Sequence, residues 1–234
     1  MKAMKKRSII WLIPVFLLFL NTCTEKLEVP PLKHPGTADW NDLFSPDLSN
    51  ALYPEGSWSL INGILSPRSD AEIWTNIAYD NFILDLEYLA SGHANSGIFV
   101  YCSHIDDWVA NSIEIQIGDD LLINDTIPPE IGWSGSIFGH LAPTKRVSKS
   151  PGVWNRITIS CTDYFIYILM NNLMIIELDM RLYTSNRSNP DGTEIPSKLT
   201  IPLAELPTLG HIGFQGTRDA SQVKFRNIKI LELE

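Results

Sequence analysis

Between Ala94 and Gly118 the chain places Asn95-Ser96-Gly97-Ile98-Phe99-Val100 a short way ahead of Ser112-Ile113-Glu114-Ile115-Gln116-Ile117. In the second segment Ser112, Glu114 and Gln116 alternate with three isoleucines, which is the period of a strand buried on one face. A carboxylate and an amide then project side by side from the other face, and together they can bind the hydroxyls of a sugar-sized ligand. Asn95 and Ser96 stand before Gly97, where a missing side chain lets a ligand or another backbone come close. A turn leading into a strand explains those three residues equally well. His140, in Gly139-His140-Leu141-Ala142-Pro143, titrates in the range needed to donate a proton near neutral pH. A loop histidine without chemistry is the alternative there, as at His93 and His104. Trp74, Trp108 and Trp133 fall in or near expected loops, and an exposed indole is a flat platform for the C–H face of a sugar ring. Trp108 is the best placed of them, because Asp106 and Asp107 beside it mark a solvent-facing loop; Trp154, just before a strand, reads as core.

The elements that must position these groups are almost all strands. Trp58-Ser59-Leu60-Ile61, Asn62-Gly63 and Ile64-Leu65-Ser66 read as a hairpin, since Asn-Gly suits the positive φ angles of a type I′ turn. Phe82 to Tyr88 alternates, with Asp85 and Glu87 on one face and Leu84, Leu86 and Tyr88 on the other. Further strands are expected at 98–101, 156–160, 164–170, 173–178, 210–215 and 223–230, with a turn at Asn171-Asn172. Residues 201–206 read as a short helix or an ordered loop, since their prolines preclude a long helix. Short strands at this spacing, without a long amphipathic helical pattern, predict an all-β sandwich or jelly roll of two antiparallel sheets.

The N-terminus predicts the compartment. Lys2, Lys5, Lys6 and Arg7 precede an apolar run from Ile9 to Leu20, and Cys23 follows. The run is shorter than the roughly 20 residues of a comfortable span and reads as a secretory signal. Leu20-Asn21-Thr22-Cys23 is similar to a bacterial lipobox, although Thr22 stands where Gly or Ala is usual. Residues 1–22 are thus expected to be a signal peptide and Cys23 a lipidated first residue, holding the protein in the cell envelope at the periplasmic face or the outer-membrane surface. Residues 23–38, with Pro30, Pro31, Pro35 and Gly36, form an expected tether, and 39–234 one domain. Loss of the leader removes four of 18 basic residues and none of the 27 acidic ones, taking the formal charge from -9 to -13. A chain so acidic, with no basic cluster, argues against a nucleic-acid partner. Cys102 and Cys161 are left either to pair in an oxidising compartment or to remain buried thiols. No zinc spacing is present. A structural Ca²⁺ on loops such as Asp119-Asp120 or Asp163 is compatible with the composition but not required by it.

The order of several blocks is informative as a set: Phe44-Ser45-Pro46-Asp47-Leu48, Glu72-Ile73-Trp74-Thr75-Asn76, Tyr79 to Tyr88, Ala94 to Phe99, Ile113 to Ile117, Gly135-Ser136-Ile137-Phe138, Ala142-Pro143-Thr144-Lys145, Gly152-Val153-Trp154-Asn155-Arg156, Asn189-Pro190-Asp191-Gly192-Thr193, Gly210 to Gln215 and Phe225 to Ile230. This succession resembles the 3-keto-disaccharide hydrolase family and spans essentially the whole domain. The resemblance implies a concanavalin A-like sandwich, secretion as a lipoprotein, and cleavage of glycosides oxidised at carbon 3. A ketone there acidifies the C2 proton, so a base can remove it, the enolate can expel the group on C1, and water can add back. That route needs a base, a donor to the enolate oxygen and help for the leaving group, and no cofactor; it implies a sugar 3-dehydrogenase as the upstream partner. By the same resemblance Glu114 is the candidate base or hydroxyl acceptor; His140, at a position the family often fills with other residues, is a candidate acid from its residue type alone. Asn95, Ser96, Gln116, Trp108 and Gln215 are candidate substrate contacts. Members commonly follow the last glutamine with Asp-His-Gly, whereas Gly216-Thr217-Arg218-Asp219 follows here. Arg218 then becomes a candidate sugar ligand in place of the missing pair. The alternative on this reading is a carbohydrate-binding protein without catalysis, since the same sandwich serves lectins.

Overall fold

The structure, a computed structural model, describes residues 32–118, 132–217 and 223–233. The alternating segments form strands as the pattern predicts, and three short strands that it does not predict, Asn41–Asp42, Ala51–Leu52 and Ile73–Thr75, join them; the last carries Trp74, expected in or near a loop, as a buried strand residue. In chain order the strands are β1 (Asn41–Asp42), β2 (Ala51–Leu52), β3 (Trp58–Ile61), β4 (Ile64–Pro67), β5 (Ile73–Thr75), β6 (Phe82–Ala90) and β7 (Asn95–Cys102), then β8 (Ile113–Gly118), β9 (Asn155–Thr162), β10 (Phe165–Met170), β11 (Leu173–Asp179), β12 (His211–Phe214) and β13 (Val223–Glu232). One antiparallel sheet, sheet A, has the order β11-β10-β9-β6-β13-β4-β3 with β1 also on β13, and sheet B runs β2-β5-β12-β7-β8. The inner faces of both sheets supply one continuous core, in which Leu84, Leu86 and Tyr88 of sheet A meet Ile98, Val100, Ile113, Ile115 and Ile117 of sheet B. This is the expected all-β jelly-roll sandwich.

Turn chemistry fixes the registers. Asn62 and Gly63 both have positive φ, at 52° and 74°, and place Ile61 opposite Ile64, as a type I′ hairpin requires. Asn171 and Asn172, at 49° and 69°, do the same between β10 and β11. Residues Leu203–Glu205 make a 3-10 turn. Residues 105–111, expected as plain loop, form a 3-10 turn followed by one α-turn, Trp108–Asn111. Seven residues with no apolar periodicity give no helical signal in the sequence.

The two cysteines are separate buried thiols. Cys161 belongs to the main core and Cys102 to an aromatic cluster on the outer face of sheet B; burial pushes the Cys102 thiol up to about 12.

The C-terminal end of the expected tether is docked on the outer face of sheet A. His34 Nδ1 donates to Thr158 Oγ1 (2.7 Å), whose hydroxyl donates to Asp85 Oδ2 (2.5 Å), while His34 Nε2 accepts from the Asn172 amide (3.0 Å). Arg156 completes the clasp, with Nε 3.0 Å from Asp85 Oδ1 and Nη2 donating to the Pro35 carbonyl at 2.6 Å. Asp85 is almost wholly buried, so these bonds are what make its charge tolerable there. Burial, then the charges of Arg156 and Lys149, lowers His34 from 6.5 to about 4. A base depressed by folding stabilises the fold above its unfolded pKa, and that contribution drains away as pH falls from about 6.5 through 4. His34→Ala is therefore expected to lower Tm at pH 7 by a few degrees, since one or two lost hydrogen bonds are worth about 1–2 kcal/mol. It should also flatten the pH dependence of Tm between about 6.5 and 4, which thermal melts across that range will measure.

Candidate active site on the outer face of sheet B

Because Ile113, Ile115 and Ile117 point into the core, Glu114 and Gln116 must point out of it. Strand pairing carries this parity across the sheet. Trp74, Gly213, Phe99 and Glu114 lie in one row through the pairs Trp74–Gly213, Gly213–Phe99 and Phe99–Glu114. In the next row Gly97 pairs with Gln116 and accepts the Gln215 amide on its carbonyl at 2.9 Å.

Glycine in each row makes room for a large neighbour to lie flat. A Cβ on Gly97 would come within 2.7 Å of Glu114 Oε1 and 2.8 Å of its Cγ, so the carboxylate rests over Gly97. A Cβ on Gly213 would meet the Trp74 ring at 2.2 Å. With that space open, Trp74 stacks on Phe99 at 5.2 Å between ring centroids, and Phe99 meets Trp108 at 4.5 Å. The result is an apolar wall beside a carboxylate, with the half-buried Trp108 at its edge.

The opposite wall is the segment that follows the undescribed stretch after β8. Gly135 donates to the Gln116 carbonyl, Gln116 to that of Ser136, and Phe138 to that of Glu114, at 2.8, 3.0 and 2.9 Å. This irregular strand covers the edge of β8 and sets Phe138 beside the row of Glu114, with Lys198 Nζ 4.5 Å above the Phe138 ring.

Among the described residues no hydrogen-bond donor meets the Glu114 carboxylate. Part of the residue reaches solvent, yet the protein packed round its carboxyl raises the pKa from 4.5 to about 7; Lys198 lowers it and Glu72 raises it by smaller amounts. A carboxylate so tuned is split between acid and base forms at neutral pH, the condition for general base catalysis. Gln116 is held by its own bonds, donating from Nε2 to Asn95 Oδ1 (3.0 Å) and to the Ser96 carbonyl (3.2 Å). Gln215 Oε1 is buried without a hydrogen-bond partner. The backbone amide of Gln215, bonded to Gly97, puts the residue in the row next to that of Glu114.

Two candidate residues do not belong to this surface. Ser96 is fully buried and spends its hydroxyl on the Gln215 carbonyl at 2.8 Å, because position 96 shares the parity of the core-facing Ile98. It ties β7 to the end of β12. His140 is buried against Tyr183, donates from Nδ1 to Asn189 Oδ1 at 3.0 Å, and has its pKa lowered by burial. It fastens a loop and makes no contact with Glu114. Asn95, Gln116, Trp108 and Gln215 do share the face of Glu114, whereas Arg218, Cys23 and Asp119-Asp120 lie outside the described residues. Asp163 sits in a turn, accepting on its carbonyl from Tyr101. Among the described residues no group of three or more His, Cys, Asp or Glu side chains could hold a metal. Phe99, Phe138 and Lys198 belong to the site and were not expected from the sequence. An apolar residue on a strand, or a lysine some 80 positions from the carboxylate, carries no local signal of its role.

Two outcomes follow from the packing. Folding raises the Glu114 pKa, so its penalty is absent below about 4.5 and grows as pH rises through about 7. Glu114→Gln should therefore leave Tm unchanged near pH 4 and raise it at pH 8, reflecting a stability gain on the order of 2 kcal/mol or less. Gly97→Ala should displace the Glu114 carboxylate, with activity lost by about 100-fold or more while the circular dichroism spectrum of the sandwich is retained.

Comparison with known proteins agrees with this architecture. Residues 39–231 match the profile of the 3-keto-alpha-glucoside-1,2-lyase-like domain. A Parabacteroides distasonis protein provisionally named a glycosyl hydrolase is 43% identical, with 83% of this chain and 99% of that one aligned at a TM-score of 0.79. A second such protein from the same organism is 23% identical over 88% of this chain and 92% of its own, at 0.60. A Bacillus subtilis protein of unknown function with a galectin-like fold aligns at 0.50, with 14% identity over 86% and 97% of the two chains; these last two bear on the fold alone. No functionally curated protein matches. With the profile covering nearly all of the sandwich, the chain belongs to the 3-keto-alpha-glucoside-1,2-lyase-like family, known also as the 3-keto-disaccharide hydrolase family.

Proposed function

We propose that this protein is an envelope-anchored enzyme that cleaves 3-keto-glycosides by elimination and hydration, with Glu114 as the base. The observation that carries the reading is the Glu114 carboxylate, lodged over Gly97 with its pKa raised to about 7. A C2–H bond beside a C3 ketone is acidic enough for such a base. Glu114 takes the C2 proton, the enolate forms, and its collapse expels the C1 substituent to leave a 1,2-unsaturated 3-keto sugar. Water added across that double bond gives net hydrolysis. The scheme uses one base and an oxyanion donor and draws on neither a cofactor nor the flanking carboxylate pair of ordinary glycosidases.

The rest of the surface fits a sugar. Trp108, half-buried and backed by the buried rings of Phe99 and Trp74, offers an apolar face to a pyranose ring. Gln215 Oε1 accepts a hydroxyl there, Asn95 and Gln116 form the polar floor, and Arg218 is a further proposed contact. The reading also includes a lipid on Cys23 and an upstream dehydrogenase that oxidises the sugar at C3. Since the tether joins at His34 on the outer face of sheet A, the site on sheet B opens away from such an anchor. The aromatic wall alone would equally serve a carbohydrate-binding protein without catalysis, and this is the competing reading.

Incubation of the protein with 3-keto-trehalose or a 3-keto-glucoside, followed by mass spectrometry, separates the two. Cleavage is expected, with kcat/KM rising as pH passes upward through about 7, because Glu114 acts only when ionised. Glu114→Gln should lose on the order of 10²–10⁴ in rate. Absence of cleavage across several keto-glycosides, with sugar binding retained by calorimetry, would establish the binding protein instead.

A further inference from the structure

Proton abstraction at C2 moves negative charge to the C3 oxygen, two bonds away, so a base at Glu114 works best with a fixed hydrogen-bond donor or positive charge within a few ångströms of that oxygen. We propose that Lys198 is that partner: its ammonium meets the C3 oxygen and holds the enolate as Glu114 takes the proton. The assignment rests on the reading of Glu114 as base.

Lys198 lies on an exposed turn far in sequence from β8, and three contacts bring it to the site. Its Nζ stands 4.5 Å above the Phe138 ring, and the Phe138 amide donates to the Glu114 carbonyl at 2.9 Å, so one residue both seats the cation and is tied through its backbone to the residue bearing the base. The turn that carries it, closed by Leu199 N to Pro196 O at 2.9 Å, lies flat on Gly139; a Cβ there would come within 2.5 Å of Leu199 Cδ1 and 2.9 Å of Pro196 Cδ. Asn189 locks the same junction, donating to the Gly139 carbonyl and accepting from His140, both at 3.0 Å. This gives the buried His140 a purpose as a positioning residue: it fastens the loop bearing the cation to the strand bearing the base. A lysine seated on an aromatic face is also partly ordered before substrate arrives. Among the described residues Lys198 is the cation whose charge acts on Glu114.

The balance of the step is simple. The C2–H bond breaks, its proton goes to Glu114 and its electron pair forms C2=C3, while the carbonyl π pair moves to the C3 oxygen beside the ammonium. When that pair reforms C3=O, the C1–C2 double bond forms and the C1–O bond breaks with its electrons on the leaving oxygen, which is protonated by Glu114 or water. Lys198 keeps its proton throughout.

Initial rates on a 3-keto-glucoside, taken between about pH 5 and 9 for the wild type, Lys198→Met and Lys198→Arg, test the assignment. Lys198→Met is expected to lose about 10²–10³ in kcat with a much smaller change in KM, as for loss of an oxyanion donor. Lys198→Arg should recover most of the rate. Removal of the charge should also shift the acid limb of the Lys198→Met profile to higher pH, which loss of a merely structural residue would not do. Lys198 is exposed, so Tm should be unchanged. If the wild type turns over and Lys198→Met matches it within about twofold with the limb unmoved, the assignment alone falls. If the wild type does not turn over on any keto-glycoside, the reading of Glu114 as base falls and this assignment with it.

Discussion

Sheet B has to serve the core and the ligand surface at once, and the alternation of β8 is the constraint that allows it. Three isoleucines on one face of a six-residue strand pack against sheet A, each worth about 1.5–3 kcal/mol of burial. A slip of one residue would turn them all to solvent and put Glu114 and Gln116 into the core. The energy of the sandwich therefore fixes where the carboxylate points, and the irregular strand 135–138 locks the register from the free edge of β8.

On that fixed frame the site is shaped by what is missing. Gly97 and Gly213 remove side chains at two neighbouring positions, and Glu114 and Trp74 fill the space by lying along the sheet. One vacancy yields a carboxylate surrounded by protein and starved of donors, hence its raised pKa; the other yields a stacked aromatic wall. Burial raises the pKa of a carboxylate on the far sheet as well, but there donors oppose it. Asp85 is buried too, yet Thr158 and Arg156 donate to it, and it serves to clasp the tether. Donors present or absent decide whether a buried carboxylate holds structure together or is free to do chemistry.

Local signals in the sequence were sufficient for the fold. Asn62-Gly63 and Asn171-Asn172 determine their turns through positive φ, and period-two alternation places Glu114, Gln116, Leu84 and Asp85 on their correct faces. Family resemblance singled out the same carboxylate and is matched by the profile over residues 39–231. Features built from contacts distant in sequence were not legible. His34 reads as tether until Asp85, Arg156 and Asn172 converge on it, and Ser96 reads as a ligand contact until the parity of β7 turns it inward. His140 invites a catalytic reading because its residue type suits proton transfer, and only the three-dimensional position of Asn189 shows that its ring nitrogen is already committed. Lys198 reaches the site through two loops whose packing on Gly139 no periodicity encodes.

The central claim is that Glu114 removes a proton from C2, and cleavage of a 3-keto-glucoside in D₂O tests it most directly. Elimination followed by hydration puts solvent deuterium on C2 of the released sugar, whereas direct displacement at C1 leaves that hydrogen untouched. Short incubations, corrected for the uncatalysed exchange of the keto sugar, should show one deuterium at C2 per turnover, and Glu114→Gln should abolish both cleavage and label. Product released by the wild type with its C2 hydrogen intact, or labelling at an undiminished rate by Glu114→Gln, would contradict the account.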